Sequence, residues 1–195
     1  SYPISSDNTQ ITLDSTSKEV TYGDSITLKA SVTSDTPQTV TWKSSNTAVA
    51  TVKDGIVTAT GKGTAKITAS LPNGRSAVCT VKVTTKKLPT SGYSYASTAQ
   101  YTGSAIIPTV TVKDGSKVLR QNIDYRVIVT NNVKIGHANI TISGMGNYYG
   151  SYTAGFDIIP AKQTIQKLET RYKGFFVDWA QKGSATGYDI QYSTS

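Results

Sequence analysis

SITLKASV, Ser25 to Val32, sets Ile26, Leu28, Ala30 and Val32 on one side of an extended chain and Thr27, Lys29 and Ser31 on the other. A period of two is the mark of a strand with one face buried and the other in water. The alternation returns downstream. Val40 and Trp42 share a side in VTW, Ala65, Ile67 and Ala69 do so in GTAKITAS, and Ala77, Cys79, Val81 and Val83 do so in SAVCTVKV. Between these runs stand KDG (Lys53 to Gly55), GKG (Gly61 to Gly63) and PNG (Pro72 to Gly74). These triplets are expected to supply the positive-φ residues that tight connections require.

Composition points the same way. Thr, Ser, Val and Tyr are abundant, 16 Gly punctuate the chain, and no stretch carries apolar residues at helical spacing, so an all-β fold is expected. Short strands with regular turn signals and one Trp in a middle strand predict an immunoglobulin-like sandwich. At 195 residues the chain exceeds the usual single-domain size of about 100–150, which predicts two small domains, or two and a fraction. Hydrophobic residues make up 37% and are ordered in alternation, which excludes a disordered chain. No run approaches the roughly 20 apolar residues of a membrane helix, so no membrane insertion is expected in this segment. The only Met is Met145, and no signal-like stretch leads the chain, which therefore reads as a piece of something longer. A net charge of +8 is spread along the sequence rather than clustered, which argues against a nucleic-acid partner.

The run VTWKSSNTAVATVKDGIVTATGKGTAKITA, Val40 to Ala69, closely resembles the bacterial immunoglobulin-like domain, group 2, of invasin- and intimin-type adhesins and many Firmicutes surface proteins. The matching features are Trp42, the turn Ser44 to Asn46, the step Val49 to Val52 and the strand Gly55 to Ala59. The resemblance implies a domain over 1–86 that acts as a rigid spacer, with only a minority of such domains contacting a receptor. A second all-β module is expected over 93–160. YTGSAIIP, VTVKDG, DYRV, NN and GMGNYYG resemble a recurrent module of Firmicutes surface and secreted proteins, and VTVKDGSKVL reads as a hairpin around Asp114 and Gly115. Over 161–195, Phe175, Val177 and Trp179 alternate on one strand and Tyr188, Ile190 and Tyr192 on another. With Gly187 to Tyr192 the spacing resembles the N-terminal part of a fibronectin type III domain. Taken together, the resemblances imply tandem immunoglobulin-like β-sandwiches in an elongated array.

LPTSG, Leu88 to Gly92, is close to a sortase signal, but it leads into another folded module instead of an apolar membrane segment. It is read as a joint within a linker over 87–92, where Pro89 removes a backbone donor and Ser91 and Gly92 allow a change of direction.

No catalytic, cofactor-binding or metal-binding residue is expected. Cys79 has inward parity and reads as a buried, inert small hydrophobe. His137, the one histidine, has outward parity, so no buried base is available for a Ser or Cys nucleophile, and one His with one Cys cannot make a zinc site. The acids are scattered without calcium-loop spacing or a carboxylate pair. Candidate ligand contacts reduce to exposed tyrosines: Tyr149 in GNYYGSY, with Tyr93 and Tyr95, because aromatic faces stack on sugar rings and are favoured at binding surfaces.

The function expected is therefore non-catalytic. The chain reads as a monomeric spacer of a bacterial surface or secreted protein, Gram-positive by resemblance, whose partners are the neighbouring domains of a longer chain and whose role is to present an adhesive or enzymatic unit. Two alternatives stand beside it. One is an adhesin module that binds carbohydrate or a host surface protein through loops at one end of a sandwich; the other is an accessory region of a secreted polysaccharide-degrading enzyme.

Overall fold

A computed structural model describes residues 8–161 and 165–179. Among them there is no helix, and every regular element is a strand. In chain order these are β1 (Gln10–Leu13), β2 (Ser17–Thr21), β3 (Ser25–Thr27), β4 (Ala30–Thr33), β5 (Thr41–Ser44), β6 (Ala50–Lys53), β7 (Ile56–Ala59), β8 (Gly63–Ser70), β9 (Ser76–Thr84) and β10 (Lys86–Lys87). There follow β11 (Tyr93–Ser94), β12 (Thr98–Gln100), β13 (Thr111–Asp114), β14 (Lys117–Val118), β15 (Tyr125–Thr130), β16 (Gly136–Gly144), β17 (Tyr148–Tyr149), β18 (Ser151–Ile159), β19 (Ile165–Arg171) and β20 (Gly174–Trp179). The chain divides into two compact units. Unit 1 is Ser1–Lys87 together with Gly144–Tyr149, and unit 2 is Leu88–Ser143 with Gly150–Ser195.

In unit 1 the sheet β2-β9-β8-β5 faces the sheet β3-β7-β6, with the pair β1-β4 beside them. Val20, Ile67, Cys79, Val81 and Val83 from the first sheet and Ala50, Val57 and Ala59 from the second are buried in one cluster, joined by Leu28. Two sheets sharing one apolar layer make a sandwich. Trp42 is half-buried and packs against both this cluster and a smaller one of Ile11, Ala69 and Leu71.

The stretch Ser25–Val32 keeps its inward parity throughout but is two strands. β3 pairs antiparallel with β7 and β4 pairs antiparallel with β1. The change of partner is made at Leu28 and Lys29: the Leu28 N–H donates to Gly55 O at 2.9 Å, and the Lys29 N–H donates to Asp14 Oδ1 at 3.0 Å. The Asp14 N–H returns a bond to Lys29 O at 3.0 Å. Every backbone donor at the crossing thus keeps a partner, which is what lets a strand pass from one sheet to another.

Of the turn triplets, KDG behaves as expected. Asp54 and Gly55 form a two-residue loop between the paired Lys53 and Ile56, with φ of 50° and 81°, the pattern of a type I′ hairpin turn. GKG differs. Gly63 has φ of 149° but Gly61 is not in the left-handed region. Glycine is needed at Gly61 for space, because a Cβ there would lie 2.5 Å from Ala48 O.

Unit 2 has the sheets β11-β13-β14 and β12-β18-β16-β15. Val112 of β13, Ala138, Ile140 and Ile142 of β16, and Phe156 and Ile158 of β18 are all buried, with Leu119 and Tyr125. In β16 and β18 these buried residues alternate with more exposed ones. The β13–β14 hairpin turns one residue later than expected: Asp114 pairs with Lys117, so Gly115 and Ser116 are the tip, and φ is positive only at Gly115. β19 and β20 pair antiparallel with a register shift between Ile165 and Lys167. The strand expected at Gly187 to Tyr192 lies outside the described residues. In LPTSG, Leu88 is buried, Pro89 O accepts a bond from Tyr93 Oη at 2.6 Å, and Gly92 O accepts one from the Lys113 N–H at 2.8 Å.

One acid departs from the expected surface pattern. Asp124 is 1% exposed, and its Oδ2 accepts bonds from the Arg120 backbone N–H at 2.9 Å and the Arg120 Nε at 3.1 Å.

Candidate functional site

The three candidate tyrosines have different surroundings. Tyr149, in β17 of unit 1, is 51% exposed. Tyr93 and Tyr95 are half-buried in unit 2, where the structure groups both with Tyr152. The Tyr93 and Tyr152 rings are stacked with centroids 3.8 Å apart and planes 6° from parallel. Burial, then the neighbouring Tyr152, push the Tyr93 hydroxyl up; burial, then a hydrogen bond with Tyr152, do the same for Tyr95. One face of Tyr93 is therefore occupied by another ring and its hydroxyl by Pro89 O, which leaves less of it for a ligand than Tyr149 offers. Tyr152, on β18, is half-buried. Its part in this cluster is not legible in the sequence, because β11 and β18 belong to different sheets and alternation does not say which strands meet.

His137 sits on the exposed side of β16, with Nδ1 2.8 Å from Asp157 Oδ1 across the β16–β18 pair. Its ring lies over Gly155, where an added side chain would require the ring and the Ala138 carbonyl to shift. Both side chains are more than half exposed, and a nucleophile hydrogen-bonded to the imidazole is not seen among the described residues. A depression lined by Asn131–His137 is made by the connection between β15 and β16 and the first residues of β16. Cys79 is fully buried, and burial pushes its thiol up; a thiol held protonated in an apolar layer is a poor nucleophile. Among the described residues no three His, Cys, Asp or Glu side chains gather as metal ligands, and no helix is long and apolar enough to cross a membrane.

The most regular feature shared by the two units is a parallel pair of strands in each. In unit 1, β2 lies parallel to β9, pairing Ser17 with Thr80 through Thr21 with Thr84. The pair is closed at one end by the Thr80 N–H on Thr16 O and at the other by the Tyr22 N–H on Thr84 O, both at 2.9 Å. In unit 2, β12 lies parallel to β18, pairing Thr98 with Asp157 through Gln100 with Ile159. Here too the ends are closed, by the Asp157 N–H on Ser97 O at 2.9 Å and the Tyr101 N–H on Ile159 O at 2.8 Å. Each unit thus ties an early strand to a later one, in parallel.

Residues 7–81 match the family model of the bacterial Ig-like domain (group 2). A lacto-N-biosidase of Bifidobacterium bifidum is 57% identical over 51 residues, a stretch covering 26% of this chain and 5% of that protein. Among solved structures, the Yersinia pseudotuberculosis adhesin InvE aligns over 83% of this chain and 66% of its own, at 14% identity and a TM-score of 0.37. Fibronectin(III)-like modules of Clostridium thermocellum CbhA align over 77% of this chain and 95% of theirs, at 17% identity and a TM-score of 0.26. Residues 7–81, in the first unit, are thus similar to a bacterial Ig-like domain, and every regular element among the described residues is a strand.

Proposed function

We propose that this chain is a load-bearing structural spacer of an extracellular bacterial protein, holding an adhesive or enzymatic unit away from its point of attachment. The observation that carries the reading is the pair of closed parallel ladders. Tension applied along the chain pulls β2 toward its N-terminal end and β9 toward its C-terminal end, and in a parallel pair those directions oppose each other along the strands. The backbone bonds, evenly spaced in a parallel ladder, are then loaded together in shear instead of one after another. β12 and β18 are loaded in the same sense. Stretching single molecules by their two ends tests this, with two separate high-force unfolding events expected, one per unit.

A second reading, an accessory region of a secreted glycan-processing enzyme, is favoured by the identity shared with the lacto-N-biosidase. The two readings are compatible: a spacer in such an enzyme would set the distance between the catalytic unit and the cell. The carbohydrate-binding reading rests on Tyr149, the most exposed of the three candidate rings, and is tested by its replacement.

A further inference from the structure

The motif GMGNYYG, in which the sequence singles out Tyr149 as an exposed ring, has in the structure a further use. Its residues Gly144–Tyr149 lie in unit 1, and β17 pairs in parallel with β10, Lys86 with Tyr148 and Lys87 with Tyr149. Asn147 is bonded twice: its Oδ1 accepts the Lys62 N–H at 2.7 Å and its backbone O accepts the Lys86 N–H at 2.8 Å. Tyr148 is 3% exposed, and its ring meets that of Tyr22 edge to face at 5.5 Å. The spacing of glycines shapes the turn that presents this pair. Gly146 takes φ of 61°, the Tyr148 N–H closes on Met145 O at 2.9 Å, and a Cβ on Gly144 would lie 2.8 Å from the Tyr149 nitrogen.

We propose that Gly144–Tyr149 is a recognition segment for one edge of unit 1, the edge formed by Tyr22, Lys62 and Lys86, and that unit 1 depends on it for stability. The Asn147 amide is the polar key, matched to a backbone donor, and the Tyr148 ring is the apolar one. The stretch 7–81 that matches the Ig-like family model contains neither this segment nor Lys86, so the unit extends beyond the domain its sequence defines. A role in ligand binding would place the weight on the exposed Tyr149, whereas this assignment places it on Asn147 and Tyr148.

Amide hydrogen exchange on the full chain, read residue by residue, separates the possibilities. In Asn147→Ala the Lys62 amide loses its acceptor and should exchange roughly tenfold faster, the equivalent of about one hydrogen bond. The slow amides of β8 and β9 should accelerate with it, while those of β16 and β18 keep their rates. Asn147→Asp, which retains an acceptor oxygen, should restore protection at Lys62, and Tyr149→Ala should leave all of these amides unchanged. Unaltered rates at Lys62 and across β8 and β9 in Asn147→Ala would overturn the proposal, as would an equal acceleration in β16 and β18.

Discussion

Arg120 holds the buried Asp124 at two points, its backbone N–H and its Nε both donating to the same carboxylate oxygen at 2.9 and 3.1 Å. The Asp124 N–H closes the turn by donating to Arg120 O at 2.8 Å. Burial alone would push the Asp124 carboxyl up, but the Arg120 donors and the charges of Arg120 and Lys117 outweigh it and hold the group below the usual carboxylate range. A carboxyl whose folded pKa is depressed contributes stability that is present above its unfolded value of about 3.9 and is lost as pH falls through the folded value. Asp124→Asn should therefore lower the stability of unit 2 at neutral pH by about 1.5–3 kcal/mol, the range for a hydrogen bond to a charged group. The variant should also flatten the acid limb of stability against pH. Urea unfolding from neutral pH down through the carboxylate range would check both.

Tyr125, 2% exposed, donates its Oη to Val110 O at 2.8 Å. Tyr125→Phe keeps the packing but leaves that carbonyl unpaired by the side chain, and should cost about 1–2 kcal/mol in chemical denaturation. Burial raises the Tyr125 hydroxyl above its ordinary value. A group raised in the folded state stabilises fully below its unfolded pKa and loses that contribution as pH rises through the folded one. The wild-type chain should thus lose stability at alkaline pH, and Tyr125→Phe should lose less.

Gly55 and Gly74 separate backbone strain from lack of space. Both have positive φ, 81° and 85°, but a Cβ on Gly74 meets nothing within 4 Å, whereas one on Gly55 would lie 2.5 Å from Leu28 O and 3.2 Å from Trp42 Cζ2. Gly74→Ala should cost roughly 1–2 kcal/mol from the left-handed conformation alone. Gly55→Ala should add a further ~1–3 kcal/mol for the displaced backbone. Equal losses in thermal or urea unfolding would show that the turn absorbs the added methyl.

For a spacer, Tyr149 is a surface ring with no ligand. Tyr149→Ala should leave retention on an array of host and plant glycans unchanged, and a selective loss of binding would move the reading toward an adhesin module.

Alternation made the interior of unit 1 legible. Ala65, Ile67 and Ala69 of β8 and Cys79, Val81 and Val83 of β9 are buried as their parity requires, and Asp-Gly at 54–55 announced its turn. Parity says which face meets the core but is silent on which strand is the neighbour. That is why the stretch from Ser25 to Val32 reads as one strand although it changes sheets at Leu28 and Lys29. Asp124 escaped for a related reason: a buried acid is recognised by its donors, and the Arg120 backbone N–H carries no sequence signature. Asn147 and Tyr148 escaped because their partners, Lys62, Lys86 and Tyr22, are distant in sequence and polar or aromatic positions follow no period. The parallel ladders were invisible for want of strand order, which alternation does not encode.

The spacer reading stands most directly on how unit 1 yields to force from different directions. Pulling the full chain by its two ends loads β2 and β9 in shear. Pulling instead from the N-terminal end and a handle at Asn73, in the turn that precedes β9, draws on the neighbouring ends of the two strands and peels them apart one bond at a time. A clearly higher unfolding force is expected for unit 1 in the end-to-end geometry than with the Asn73 handle. The same force in both geometries would contradict the spacer reading.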